Sequence, residues 1–417
     1  MSNFDLAALF IALVALGGWL NARTLKLPHA VAMLFVGLLG ALAVYGLSLL
    51  RPDLASGVAA GLGRVDFPKT VLGYMLAFLL FAGAMQVDLP ELRRRRIAVW
   101  TLATLGVLAS TVIVGVGLWA IARSLGLLLT LPWALVFGAL ISPTDPIAVL
   151  ATVKRGHLSP TLQTVLKGEA LFNDGIGIVV FTALLAFASG QMPDPRQAAL
   201  DVVIQAGGGL ALGALSAWAV IRAMRMIDDY VVEVSLTVAL AMGVYAGGQA
   251  LHLSGPIAVV GAGLLVGDGG ARKSMSEATA AHLNSFWTLI DEMLNALLFF
   301  MLGLQLLVLP LVPRQAGLCA AAILLVLATR FAVVLPWGSW LNLRHEQHGA
   351  NLALAWGGLH GALSLALALS VPAGPQRPLI LAAAYAVAIF SVAVQGLTFG
   401  PLAAALQRRA ATRSARA

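Results

Sequence analysis

Lys167-Gly-Glu-Ala-Leu-Phe-Asn-Asp-Gly-Ile-Gly-Ile-Val-Val180 sets Glu169, Asn173 and Asp174 inside a run otherwise apolar enough to span a membrane. An ionisable group at bilayer depth costs about 2.5–3.5 kcal/mol even on the mildest scales. Such a residue is kept either as the partner of a buried base or as a site for an ion or proton. Glu169 and Asn173 are four apart and share one helix face, while Asp174 points about 100° away from Asn173. Gly175 and Gly177 leave room for close backbone approach beside it.

The surrounding chain settles the environment. Of its 417 residues 60% are hydrophobic and 11% are charged, with a mean hydropathy of +0.93. A soluble domain is about 25% charged, so the composition predicts an all-α polytopic protein with the lipid bilayer as its surroundings. A net charge of +8 would suggest nucleic acid in a soluble protein. Here the basic residues lie between apolar runs and read as topology signals, so no nucleic-acid partner is expected. Cys319 is the single cysteine, which excludes an intramolecular disulfide or a cysteine-based metal cluster. Residues 1–5 lack a basic region and the first apolar run has no cleavage-like end, so no cleavable signal peptide is expected.

Apolar runs of about 20 residues, enough to span, fall at 4–20, 30–50, 70–87, 97–121, 127–152, 163–187 and 198–224. A second set follows at 231–251, 255–267, 286–309, 315–336, 350–371 and 378–406, which makes about thirteen transmembrane helices. Loops after odd-numbered spans hold thirteen Lys and Arg, and the tail adds four, against seven after even-numbered spans. The positive-inside rule then puts the N-terminus outside and the short basic tail, 407–417, in the cytoplasm. Pro28 with Gly37 to Gly40 resembles Pro256 with Gly263 to Gly267, and Phe81 to Gln86 resembles Phe300 to Gln305. This register lays 1–187 over 231–406, with 188–230 as a linker helix. Because the halves start on opposite sides, it predicts two inverted-topology six-helix repeats in a single transporter domain.

Polar groups from separate spans share a depth. At 1.5 Å per residue Asp174, Asp145 and His360 lie roughly 16, 14 and 15 Å from the cytoplasmic ends of their runs. All three are near the middle of a core about 30 Å thick. Ser142-Pro-Thr-Asp-Pro146 carries two prolines three apart, which deprives the carbonyls of Ala139 and Ser142 of helical partners. Free backbone of that kind is tolerated against protein or a water-filled cavity, and with Thr144 it suits a hard cation. Trp356-Gly-Gly-Leu-His-Gly361 predicts a second break, so two discontinuous helices would cross facing Asp174. His360 reads equally as a packing histidine or as a titrating group. Glu169 and Arg330 lie at about the same depth and are expected to neutralise each other. Asp291 and Glu292 read as interfacial, Asp88 as the solvated end of the third span, and Asp228, Asp229 and Glu233 as solvation of a loop.

Five segments carry a resemblance: Phe78 to Gly83, Leu140 to Val149, Gly168 to Gly175, Ser254 to Val259 and Trp356 to Ala362. Together they resemble the NhaP-type sodium/proton antiporters of the cation–proton antiporter-1 family. That resemblance implies thirteen spans, a homodimer in a bacterial inner membrane, a core domain moving against a dimerisation domain, and a part in sodium and pH homeostasis. By it Asp174 carries either a cation or a proton, Asn173 supports it, Thr144 and Asp145 line the crossing, and Glu169 pairs with Arg330. The Asn-Asp form goes with electroneutral exchange. Two positions depart from the family pattern. His360 stands where Arg is common, making it a candidate pH-modulating group, and Ala170 stands where Ser is common.

The expected function is exchange of a monovalent cation, Na⁺ or Li⁺ with K⁺ as a further candidate, for H⁺ by competition at Asp174 and alternating access. The other readings are a cation channel or uniporter, or an antiporter of altered substrate because of His360. An enzyme is not expected, since no Ser/His dyad or HExxH motif is apparent. No cofactor is expected.

Overall fold

Within a bilayer, backbone groups must be satisfied inside their own segment, and the described residues are accordingly helical. The computed structural model describes residues 3–50, 66–145, 159–191, 195–268, 275–305, 315–343 and 349–414. The chain begins with α1 (Asn3–Arg23) and α2 (His29–Leu50). A π-helical segment, Lys69–Met75, leads into α3 (Leu76–Met85) and the short α4 (Leu89–Arg94). Next come α5 (Arg96–Ser124), with a π segment at Leu102–Gly106, and α6 (Leu131–Ile141). The middle of the chain forms α7 (Pro160–Ala188), α8 (Pro195–Met224), α9 (Tyr230–Ala250) and α10 (Gly255–Gly267). They are followed by α11 (Glu277–Leu304) and α12 (Ala316–Leu343). α13 (Ala350–Gly357) and α14 (Ala362–Leu369) are halves of one interrupted element. α15 (Arg377–Phe390) runs through a π segment, Ser391–Gln395, into α16 (Gly396–Ser414).

Among the described residues nine helices are long and apolar enough to cross a membrane, and Lys69–Met85, Leu131–Ile141 and Gly255–Gly267 are shorter apolar ones. Large side chains such as Trp19, Trp218 and Leu324 are exposed, as a lipid-facing surface requires. Several basic residues behind the expected orientation, among them Lys154, Arg155, Arg272 and Lys273, lie outside the described residues, as does Pro146.

Helix ends differ from the sequence expectation where polarity hid them. α11 starts nine residues before the apolar run at 286, because Ser276 caps it by accepting the Thr279 N–H at 3.3 Å. α12 continues past Pro336 to Leu343. Asp88 is a cap for α4, taking the Glu91 N–H at 3.0 Å. Glu233 is buried, not solvated. It shares a face of α9 with Thr237, which receives the Trp287 indole N–H at 3.0 Å, so that face turns inward.

Two groups of helices emerge from who packs on whom. α2 lies on α11, α10 on α3 and α8, α1 on α2, and α9 on α10. In the other group α5 lies on α6 and α12, α6 on α7, α12 on α13, and α14 on α15. The first group is held by several tight crossings, among them α2 on α11 and α10 on α3. A methyl added to Gly303 would lie 2.8 Å from the backbone of Gly37, and one on Gly267 would lie 2.5 Å from the Met85 carbonyl oxygen. Side-chain-free contacts of this kind let helix backbones approach where lipid offers no hydrophobic drive.

Candidate functional site

α6 stops at Ile141 because Pro143 cannot donate to the helical ladder, and Ser142 satisfies the Gly138 carbonyl with both its N–H and its hydroxyl. Pro143, Thr144 and Asp145 then run without helix. The second break, at Gly358 to Gly361, comes alongside, and the two are joined by an isolated antiparallel bridge in which the Asp145 N–H donates to the Leu359 carbonyl at 2.7 Å. Gly361 permits this approach, since a Cβ there would lie 2.5 Å from the Asp145 carboxylate. The structure thus shows the twelfth run as two half-helices beside the interrupted end of the fifth.

α7 crosses next to the breaks, capped at Ser159 and begun at Pro160. Its three polar residues go three ways. Asn173 is buried and holds the break: its amide nitrogen donates to Thr144 Oγ1 at 2.9 Å, and its carbonyl oxygen accepts the Thr144 N–H at 3.4 Å. Glu169 meets Arg330 of α12 in a two-point ion pair, with Nη1 on Oε1 and Nη2 on Oε2, the latter at 2.9 Å. Arg330 Nη2 also donates to the Leu354 carbonyl at 3.1 Å, tying α7, α12 and α13 together. Asp174 turns to a cavity of about 130 Å³ that is also lined by Thr144, Asp145, Asn295, Ser364 and Asp291. Beside Asp174, the faces of Gly175 and Gly177 receive Ile257 and the Pro143 ring.

The mouth of this cavity is polar. Gln86 donates from Nε2 to Asp291 Oδ2 at 3.3 Å, and Lys167 reaches the Gln86 carbonyl at 3.5 Å. Lys167 precedes Asp174 by seven residues, two helical turns on one face, with Ala170 and Leu171 between them on the cavity wall. His360 is elsewhere. Its ring Nδ1 faces the Pro143 carbonyl at 3.2 Å, and it lines a second, smaller cavity with Ser142, Thr329 and Arg330.

Of the residues singled out in the sequence, Asp174, Asp145 and Thr144 share one cavity, Asn173 braces it, and Glu169 and Arg330 sit behind it as a pair. His360 supports the break from the far side. The sequence reading missed Asn295 and Ser364, and it set Asp291 at the interface. The signal that would have found Asn295 is spacing, since it stands four residues beyond Asp291 on one helix face. Among the described residues no cluster of three His, Cys, Asp or Glu side chains could hold a metal ion. What the cavity offers is carboxylate, hydroxyl and amide oxygen, ligands suited to a hard cation.

The family described as sodium/hydrogen exchanger, transmembrane, matches residues 10–405. The chain belongs to the transmembrane sodium/hydrogen exchanger family. Within this family it is 42% identical over 408 residues to the Na⁺/H⁺ antiporter NhaP of Pseudomonas aeruginosa, covering 95% of this chain and 96% of that one. It is 34% identical over 387 residues to the Na⁺/H⁺ antiporter NhaH of Halobacillus aidingensis, covering 91% and 92%. The exchanger fold also agrees with the solved structure of the sodium proton antiporter MjNhaP1 from Methanocaldococcus jannaschii. The TM-score is 0.72 at 21% identity, over 97% of this chain and 98% of that one.

Proposed function

We propose that the protein is a secondary antiporter that exchanges Na⁺ for H⁺ across a bacterial inner membrane. The observation that carries this reading is the grouping of Asp174 with Thr144 and Asp145 in one cavity at a helix break. Glu169 is cancelled by Arg330, so its charge is withheld from the exchange. Asp174 then binds either one cation or one proton, and each displaces the other. One exchangeable carboxylate goes with one-for-one, electroneutral exchange. Li⁺ and K⁺ meet the same oxygen ligands and are candidates beside Na⁺.

Alternating access would follow from movement of the helix group holding Asp174 against the group holding Gln86 and Asn295, whose common boundary is the cavity. The packing also supports the inverted-repeat reading with thirteen spans. The α2–α11 and α10–α3 crossings are exchanged by the offset read in the sequence, and so are the α1–α2 and α9–α10 pairs and the α5–α6 and α12–α13 pairs. The N-terminus is taken as external, the C-terminus as cytoplasmic and the assembly as a homodimer. His360 acts in this reading by holding the Pro143 carbonyl, in a small cavity that Thr144 also lines.

The test is proton flux from proteoliposomes on addition of Na⁺, Li⁺ or K⁺. Wild type should exchange and Asp174→Ala should not. Full activity in that variant would sink the site assignment, and cation flux that builds a membrane potential without proton counterflow would replace the antiporter with a channel.

A further inference from the structure

One polar group in the cavity has no part in the cycle above. Asn295 lies on α11, one turn beyond Asp291, and is 5% exposed. Its amide nitrogen donates to Asp291 Oδ1 at 2.9 Å. That bond fixes the amide's orientation, because the opposite flip would set two acceptor oxygens against each other. Its carbonyl oxygen is buried and has no hydrogen-bond partner among the described residues. A buried polar atom left in this state is costly and calls for an explanation, and Asn295 is one of the residues that line the cavity beside Asp174.

The surroundings narrow what that oxygen takes. The cavity is lined by the carboxylates of Asp145 and Asp174 and the hydroxyls of Thr144 and Ser364, with the Asp291 carboxylate at its mouth. Its nitrogen donors, Gln86 and Lys167, are at the mouth and already joined to Asp291 and to a backbone carbonyl. A neutral carbonyl oxygen among carboxylates and hydroxyls is a ligand for a hard, partly dehydrated cation. The cavity also has room for several waters by the measure in which one water needs about 10–15 Å³.

We propose that Asn295 Oδ1 is a ligand of the transported monovalent cation, at a position between Asp291 and the Asp174–Asp145 pair. Asp291 orients the amide and adds negative charge beside it. Asn295 and Asp174 belong to different helix groups, so the cation is shared between the two groups while the cavity is open and passes to Asp174 alone when they move apart. Asn295 thereby sets how tightly, and which, cation is taken up from this side. The assignment rests on the antiport reading, and two separate measurements keep the two apart.

Purified protein is titrated with NaCl, LiCl and KCl against choline chloride, and the cation-dependent rise in melting temperature is followed, since a ligand of the folded state stabilises it by mass action. The same preparations are assayed for cation-driven proton flux. Asn295→Leu should raise the half-stabilising concentration of the preferred cation about tenfold, which corresponds to about 1.4 kcal/mol of binding. KM should rise with it by more than the maximal rate falls. Asn295→Gln keeps the amide at a longer reach, so it should retain part of the affinity with an altered Na⁺ to Li⁺ preference, and it stands in if the leucine variant fails to fold. Unchanged half-stabilising concentrations and cation preference would overturn the proposal, as would a fall in maximal rate at constant KM. Absence of flux in the wild type would strike at antiport, and the stabilisation titration would still decide Asn295.

Discussion

Asn173 and Thr144 are joined at two points, amide nitrogen to hydroxyl at 2.9 Å and backbone N–H to amide oxygen at 3.4 Å. The residue before the candidate carrier is therefore a clasp on the broken helix, and it sets where Thr144 and Asp145 stand relative to Asp174. Groups that orient ligands typically matter about 10–100-fold in affinity or activity. Asn173→Ala should lower cation-driven proton flux within that range while the protein still folds. Wild-type flux and KM in the variant would show that the clasp is dispensable.

The Glu169–Arg330 pair yields a stability prediction. Removing one member of a buried pair leaves the other charge uncompensated, at a cost of about 3–5 kcal/mol. Glu169→Gln and Arg330→Met should each lower the melting temperature in detergent by several degrees, and the double variant should recover much of the loss. Strictly additive losses would mean that the two residues contribute independently.

The proposed competition at Asp174 gives the pH dependence a definite sign. Lowering the pH fills Asp174 with protons, so the apparent KM for the cation should rise as pH falls. The limiting slope is about tenfold per pH unit where the site is mostly protonated, flattening where it is mostly ionised. A KM independent of pH, measured from flux at several cation concentrations, would separate proton and cation sites.

His360 makes a positional prediction. Its ring nitrogen meets the Pro143 carbonyl, and it borders Arg330 rather than Asp174. Glutamine can still donate to that carbonyl, whereas alanine cannot. His360→Gln should keep most activity with the wild-type pH profile, and His360→Ala should lose rate about tenfold. A displaced profile in the glutamine variant would return the histidine to a titrating role.

Much of this site could be read before the fold was seen, because membrane depth is a one-dimensional quantity that sequence carries. Counting residues from the ends of runs placed Asp174, Asp145 and His360 in one layer, and it put Arg330 level with Glu169. Direction around the helix axis is harder. The depth count brought His360 towards Asp174, and only the geometry of the break turns its ring away. Asn295 escaped for another reason. α11 begins with polar turns that hydropathy leaves out, so Asp291 looked like a helix end, and the amide one turn on looked like part of an apolar stretch. Asn173 was visible as polar, but its grip on Thr144 is a contact between distant segments that no local pattern encodes.

The two glycine crossings have a consequence for leakage. Where α2 meets α11 and α10 meets α3, backbone touches backbone, and no side chain can yield to let one helix slip along the other. One place where the two helix groups meet is Ile257 against Gly175, immediately beside Asp174. A carboxylate carrying neither cation nor proton would have to pass that greasy wall with its charge bare, at a cost of several kcal/mol. Every 1.4 kcal/mol slows such a crossing about tenfold. On the proposed cycle the stiff frame thus acts as a toll gate: it would make the empty return slow, and a slow empty return would oblige the two ions to move in exchange.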